Sequence, residues 1–369
     1  MSSCSENMSR VGDLLKVVEH SGLDALYLLK QETLSKQNVR YISGFSGCSA
    51  HLIISQERRI LLTDERYTEQ AAAQCPEFEV IGHDRKPEEK MREVLASLKI
   101  RKVGYETQGL TVEQFNRLRD DVPGIEWIPT AGLLEDLRVV KSSEEIRCLE
   151  QAAELAAAGF KHILHLIEPG AREQDLALEL EIYMRKNGAE APAFDTILIS
   201  GARSSLQHGA PSEKVIEAGD FVIMDFGAQY RGYRSDFTRT VAVDHVSRKQ
   251  REIYDLVQRA QSRGLQLIKA GVSSGTVYQE VQDIIAAAGY AEYSGRGIGH
   301  GVGLEIHEAP SIEANGTAEL ESGQVLTMEP GIYIPGWGGV RIEDDVLVTR
   351  STHEVLSNVD KRFEQAIVG

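Results

Sequence analysis

At 369 residues the chain exceeds the ~250–300 residues at which a single hydrophobic core stops growing, so two domains are expected. With 42% hydrophobic and 26% charged residues, it is neither a disordered tail, a collagen-like rod nor a small disulfide scaffold. The formal net charge of −16 speaks against a nucleic-acid partner and against an anionic membrane surface, since both need a basic face.

Read from the N-terminus, Met1-Ser-Ser-Cys-Ser-Glu-Asn has neither a basic start nor an apolar run, so no signal peptide is expected. No uncharged apolar run approaches the ~18–20 residues that span a bilayer. Cys4, Cys48, Cys75 and Cys148 are scattered without a C-x-x-C pair, and free thiols in a cytoplasmic protein are the expectation. Strand-length apolar runs occur at 25–29, 51–55 and 59–62, the last two close enough to form a hairpin. Helical patterns follow at 66–73 and 88–98, the second entered through Pro87. The clusters around Tyr41 and Asp64 read as turn chemistry. A strand at 125–128 ends in the breakers Pro129 to Gly132, which places an α/β unit at 1–132 and a second unit at 133–369.

The second unit opens with Ser142-x-x-Glu145, a capping box. Ile146, Leu149, Ala153, Ala156, Phe160, Ile163 and Ile167 then recur at three- and four-residue spacing, so one long helix is expected to run to Pro169-Gly170. Further helices are expected at 174–186 and after Ser247 and Ser273.

An internal repeat is the first informative feature. Residues 217–227 align without gaps to residues 321–331, with Asp225 matching Glu329 as a carboxylate before glycine. Each copy reads as a buried strand ending in an acid, a Gly-rich turn, and a return strand bearing another acid, at 233–240 (Asp236) and 340–348 (Glu343). Antiparallel partners lie ~4.5–5.5 Å apart, so each return strand can place its acid across from the first. Four carboxylates gathered on a half-buried sheet repel unless neutralised; two divalent cations match their charge, and Arg231, Arg234, Arg239 or Arg341 are the alternative partners. The segment Gly295-Arg-Gly-Ile-Gly-His300-Gly-Val-Gly-Leu-Glu-Ile-His307-Glu-Ala-Pro310 adds two histidines among glycines that open space for a ligand or ion around His300. It lacks the H-E-x-x-H spacing of a zincin, because residue 311 is serine.

These segments, with Met328-Glu-Pro-Gly-Ile-Tyr and Val340-Arg-Ile-Glu-Asp, resemble the aminopeptidase P and prolidase family of metallopeptidases, relatives of methionine aminopeptidases. The stretches Asn38-Val-Arg-Tyr-Ile-Ser-Gly-Phe-Ser-Gly and Leu62-Thr-Asp-Glu-Arg-Tyr resemble the family's creatinase-type N-terminal domain. The resemblance implies an α+β chain: a pita-bread catalytic domain behind a smaller α/β domain. It implies Asp225, Asp236, His300, Glu329 and Glu343 as ligands of two divalent metal ions, with Asp236 and Glu343 bridging. One nitrogen among oxygens favours manganese or cobalt, with zinc and iron left open. His208 and His307 match the family's non-ligand histidines, and Arg341 its arginine behind the ligands. A homodimer is implied by the resemblance only. One departure stands out: Arg296 occupies a position, four before the ligand histidine, where the family usually carries histidine.

The implied reaction is hydrolysis of the bond between an N-terminal residue and a following proline, with Glu329 moving a proton and His208 and His307 holding the carbonyl or the leaving nitrogen. A metal-free hydrolase resembling creatinase and a non-catalytic binding module are the rivals, but both lineages typically lose ligands that this chain retains. Residues 308–328 contain no Lys or Arg but do contain Glu308, Glu313, Glu319 and Glu321. A negative rim would repel a dipeptide carboxylate. From sequence, then, an aminopeptidase acting on Xaa-Pro-Yaa and longer peptides is expected, and an Xaa-Pro dipeptidase (prolidase) is the alternative. Arg203 and Arg296 are the cations that could reverse this order.

Overall fold

A computed structural model describes residues 2–32, 37–84 and 86–369, without the side chains of residues 2–7; the thiol of Cys4 therefore lies outside the described residues. Cys48, Cys75 and Cys148 are free. Contacts divide the chain into two compact units that meet after Arg138, whereas the sequence breakers lie at 129–132. The helix Leu133–Val139 falls between those two markers. Arg138 is tied to the first unit, with its buried guanidinium donating to Asn38 Oδ1 at 2.7 Å.

The first unit holds one six-stranded sheet in the order Glu79–His83, Arg59–Asp64, Ala50–Ser55, Ala25–Lys30, Lys102–Glu106, Glu126–Thr130. The expected hairpin is present, with Ile54 opposite Arg59 and His51 opposite Leu62. The helix expected at 66–73 begins as a 3-10 turn, Glu65–Tyr67, because Asp64 Oδ1 accepts the Arg66 N–H at 3.0 Å and caps it; α-helix follows at Thr68–Gln74. Pro87–Ser97 matches the second expectation. The helices Ser2–His20 and Val112–Asp121 were not anticipated, although Thr111 and Gln114 form a complete capping box for the latter.

The second unit repeats a plan: two helices, then strands. Ser143–Ile163 and Glu173–Lys186 serve the first half, Arg248–Leu267 and Ser274–Ala287 the second. Ser142 and Glu145 form the capping box in both directions. The first helix stops at Ile163, short of Pro169, because its last turn tightens to three-residue bonds such as Leu166 N–H to Ile163 O at 2.9 Å. Ile167 still packs into the core from outside the helix. Phe221–Phe226 lies in a four-stranded sheet between Ile197–Ser200 and Phe237–Val243, with Ile367–Val368 at the far edge. Val325–Met328 lies in a five-stranded sheet in the order Glu308–Glu313, Gly297–Gly301, Val325–Met328, Asp344–Val348, His353–Val355.

The return strands are not continuous. The first breaks between Tyr233–Arg234 and Phe237–Val243, the second between Gly338–Arg341 and Asp344–Val348. Asp236 and Glu343 sit in those breaks, where the chain changes sheets and a side chain can leave the pleat. The simple cross-strand pairing is therefore corrected in the first copy: Asp225 faces Thr238, not Asp236.

Candidate metal centre

Backbone bonds between non-adjacent segments set the acids in place. The Glu329 N–H donates to Ile298 O at 2.8 Å, and the Glu343 N–H to Thr238 O at 3.1 Å. Ligand atoms of Asp236, His300 and Glu343 lie within 4.8 Å of one another, a group able to hold a metal ion. His300 Nε2 is 3.5 Å from Asp236 Oδ2 and 3.3 Å from Glu329 Oε1. Asp225 lines the same cavity, and its Oδ2 is held by Arg341. All five expected ligands thus converge.

The arginine alternative holds for one acid only. Arg341 pairs with Asp225 and also donates to Tyr333 OH at 2.9 Å and Thr238 Oγ1 at 3.1 Å. Arg239 is committed to Asp344 at 2.6 Å, Arg231 to Glu144 at 3.5 Å, and Arg234 to the Ala193 carbonyl. Buried oxygens are left over: Asp225 Oδ1, Glu343 Oε1 and Asp345 Oδ1 accept no hydrogen bond. Orphaned acceptors of this kind are costly in a protein interior. An oxygen-rich donor set with one imidazole and spare carboxylate oxygens fits a hard or borderline divalent cation.

The titration behaviour points the same way. Burial pushes Asp236 and Glu343 well above the usual carboxylate range, and neighbouring carboxylates push further. Asp225 is also raised, because burial outweighs the attraction of Arg341. Glu329 is buried too, yet the hydrogen bond and charge of His300 hold it below the ordinary value. Burial opposes the charged form of His300, but Glu329 lifts it above the ordinary value all the same. Burial without cations thus favours the protonated forms of Asp225, Asp236 and Glu343, and a bound cation would favour their ionised forms.

The glycines around His300 have a different purpose from the one expected. A Cβ at Gly299 would overlap the Thr327 carbonyl, and one at Gly301 the Ala309 carbonyl. Neighbouring backbone, not a ligand, fills the space they leave. The strand ends at Gly301, and a bend at 302–307 returns His307 to His300, ring centroids 4.4 Å apart. Strict alternation along one strand would have set these histidines on opposite faces; the bend defeats it. His208, in the loop after the 3-10 turn Gly201–Ser205, lines the same cavity as His307.

Three contributors were missed in the sequence. Thr327 Oγ1 accepts the His300 N–H at 3.2 Å and lies 3.4 Å from Glu329 Oε1. Thr238 Oγ1 donates to Glu343 Oε2 at 2.5 Å. Asp345 Oδ2 accepts the Asp236 N–H at 2.9 Å, and burial pushes that carboxyl up to about 8. Thr327 stands two residues before Glu329, so the period of two could have flagged it. Asp345 follows two other acids, and nothing local distinguishes it from Asp344, which is spent on Arg239, Lys361 and Gln261.

Two cavities meet at the cluster, of about 640 Å³ and about 520 Å³, sharing His208, Asp225, His300 and Glu329 as walls. The larger is lined by Phe194, Ile197, Pro211 and Ile306, with Asp195. The smaller is lined by Arg296, Ser311, Glu313 and Tyr333. Glu313 is the only one of the four glutamates of 308–328 in either lining, and Glu308 is neutralised by Lys141 at 3.2 Å. The uniformly negative rim expected from sequence is therefore absent from these linings. Arg203 is occupied by Glu173 at 3.3 Å and the Ala210 carbonyl at 2.7 Å. No helix of the described residues is long and apolar enough to cross a membrane.

Comparison with known proteins places both units. Residues 147–350 match the family model of metallopeptidase family M24, and residues 10–140 that of the creatinase/prolidase N-terminal domain. An Xaa-Pro dipeptidase of Pyrococcus horikoshii is 36% identical over 356 residues, covering 96% of this chain and 98% of the relative. The solved structure of an Xaa-Pro dipeptidase from Bacillus anthracis superposes with a TM-score of 0.93 at 42% identity, covering 98% of this chain and 100% of that one. An X-Pro aminopeptidase from Thermotoga maritima superposes at 0.89 with 35% identity, covering 95% and 99%.

Proposed function

The chain belongs to the Xaa-Pro aminopeptidase/prolidase family of metallopeptidases, and on that premise we propose that it is an Xaa-Pro dipeptidase. Its fold is α+β, a pita-bread catalytic unit with a creatinase-type N-terminal unit, and it is a metal-dependent peptide hydrolase. The observation that carries the substrate reading is the convergence of Asp225, Asp236, His300, Glu329 and Glu343 where two cavities meet, one with an apolar flank and one bearing an exposed cation. The names carried by relatives support the dipeptidase form over the longer-peptide preference expected from sequence.

In this reading Asp225, Asp236, His300, Glu329 and Glu343 hold two divalent cations, manganese or cobalt suiting the donor set. Bound there, such cations supply Lewis acidity and a nucleophilic water at neutral pH. The remaining work falls to side chains. Glu329, kept ionised by His300, is the group able to take a proton at Oε1 and pass it on. His307 and His208 face the same cavity and can hydrogen-bond the scissile carbonyl or protonate the departing proline nitrogen. Arg341 does not reach for substrate; it holds Asp225 and Tyr333 in position. A proline-specific aminopeptidase is the second reading, favoured by the absence of Lys and Arg from 308–328 and by the Thermotoga relative. Steady-state kinetics on an Xaa-Pro dipeptide and its Xaa-Pro-Yaa extension test the choice. A higher kcat/KM for the dipeptide is expected, and the reverse order would establish the aminopeptidase.

A further inference from the structure

We propose that Arg296 is the specificity residue that grips the free C-terminal carboxylate of the dipeptide, which makes the smaller cavity the proline side and the larger one the side of the N-terminal residue. This deepens the dipeptidase reading and rests on it.

A dipeptide carries its carboxylate on the residue immediately beyond the scissile bond, so the anion must lie close to the metal cluster and needs a cation. Two arginines line the cavities: Arg341 and Arg296. Arg341 is buried and fully engaged by Asp225, Thr238, Tyr333 and the Gln207 carbonyl. Arg296 is exposed at the mouth of the smaller cavity, and no hydrogen bond or ion pair among the described residues holds it. Its placement is fixed by backbone: Gly297 begins the strand opposite Glu313, and His300 of that strand faces Ser311. Arg296 therefore stands in the bend immediately before the strand that carries His300, four residues upstream of it, and Ser311 adds a hydroxyl on the neighbouring strand.

Chemistry divides the two cavities in a matching way. The four shared walls put the reacting bond between them, so the two halves of a dipeptide must take opposite sides. The larger side offers Phe194, Ile197, Pro211 and Ile306 for an apolar side chain, and Asp195, its one acid outside the expected ligand set, is exposed and complementary to an ammonium end. The smaller side offers the unpaired guanidinium, with Glu313 as the nearby carboxylate that disfavours additional negative charge. A zwitterionic dipeptide fits this polarity in one orientation only. Planar guanidinium suits bidentate binding of a carboxylate.

The test compares Leu-Pro with Leu-Pro amide, which differ only in the terminal charge, using wild type, Arg296→Gln and Arg296→Lys loaded with manganese. Arg296→Gln is expected to lower the dipeptide-to-amide ratio of kcat/KM by about 10- to 100-fold, mainly through the KM of the dipeptide. Arg296→Lys recovers part of the ratio, and raising the salt narrows the wild-type ratio because a rim charge is screened. Two readouts apart from turnover accompany it: metal content unchanged in both variants, and weaker binding of free proline to Arg296→Gln by calorimetry. Equal losses on both substrates, or no loss on either, overturn the anchor and leave the dipeptidase reading standing. A wild-type enzyme that cleaves neither substrate overturns both.

Discussion

Substituting Glu343 by Gln separates its role as a metal ligand from its role in the fold. Glu343 is almost fully buried; Oε2 accepts from Thr238 at 2.5 Å, and Oε1 has no partner. Burial and the neighbouring carboxylates push this side chain well above the usual carboxylate range, towards its protonated form, in the metal-free protein. Glutamine has the same shape as the protonated acid and still accepts from Thr238, so the metal-free variant should melt at or slightly above the wild-type temperature. The metal-loaded proteins should diverge. Manganese at about 100 times its Kd stabilises the wild type by about 2.7 kcal/mol. At about 2–4 °C per kcal/mol for a domain of this size, the shift is about 5–11 °C. Loss of one ligating carboxylate weakens affinity by at least the roughly 10- to 100-fold known for supporting groups. The same manganese concentration then yields only about 0.4–1.4 kcal/mol, or about 1–6 °C. Calorimetric melts with manganese and with chelator measure all four values. A metal-induced shift in Glu343→Gln equal to that of wild type would refute the ligand assignment, and a large drop in the metal-free melt would make Glu343 a structural residue instead.

Asp236→Asn should abolish peptide hydrolysis and lower bound metal per subunit while circular dichroism stays native; unchanged metal content counts against a bridging role. His307→Ala should retain its metal and lose about 10²–10⁴-fold in kcat; near-normal turnover would remove His307 from the reaction. The first unit should lose stability in acid. His51 bonds Tyr27 OH at 2.8 Å, and burial, with His83 adding, pushes its pKa down to about 3. Burial lowers His83 as well. Unfolded histidine takes its proton near pH 6.5, so the unfolded state binds more protons between these values, and stability falls as pH drops from about 6.5 towards 3. Trp127 fluorescence during urea unfolding, in a Trp337→Phe background, follows the first unit. An equally steep slope in the His51→Gln, His83→Gln double variant would show that other groups are responsible.

The sequence by itself marked the candidate ligand types and much of the order of elements. The duplicated strand-acid-glycine pattern marked Asp225 and Glu329, and the capping box at Ser142 marked a helix start, because these signals are local and survive in one dimension. What it could not contain was the break in each return strand. Asp236 and Glu343 look like mid-strand residues in the pattern, but they sit where the chain leaves one sheet for another. Sheet membership is decided by distant partners, so propensity cannot report it. The same holds for charge. In one dimension the acids of 308–328 read as a negative rim, yet Lys141 neutralises Glu308 across the unit and Arg296 lines the smaller cavity from the bend before another strand. Asp345 and Asp344 are adjacent and chemically alike; one orients Asp236 and the other anchors Arg239. Only tertiary structure separates them, because alternating faces of one strand meet different neighbours.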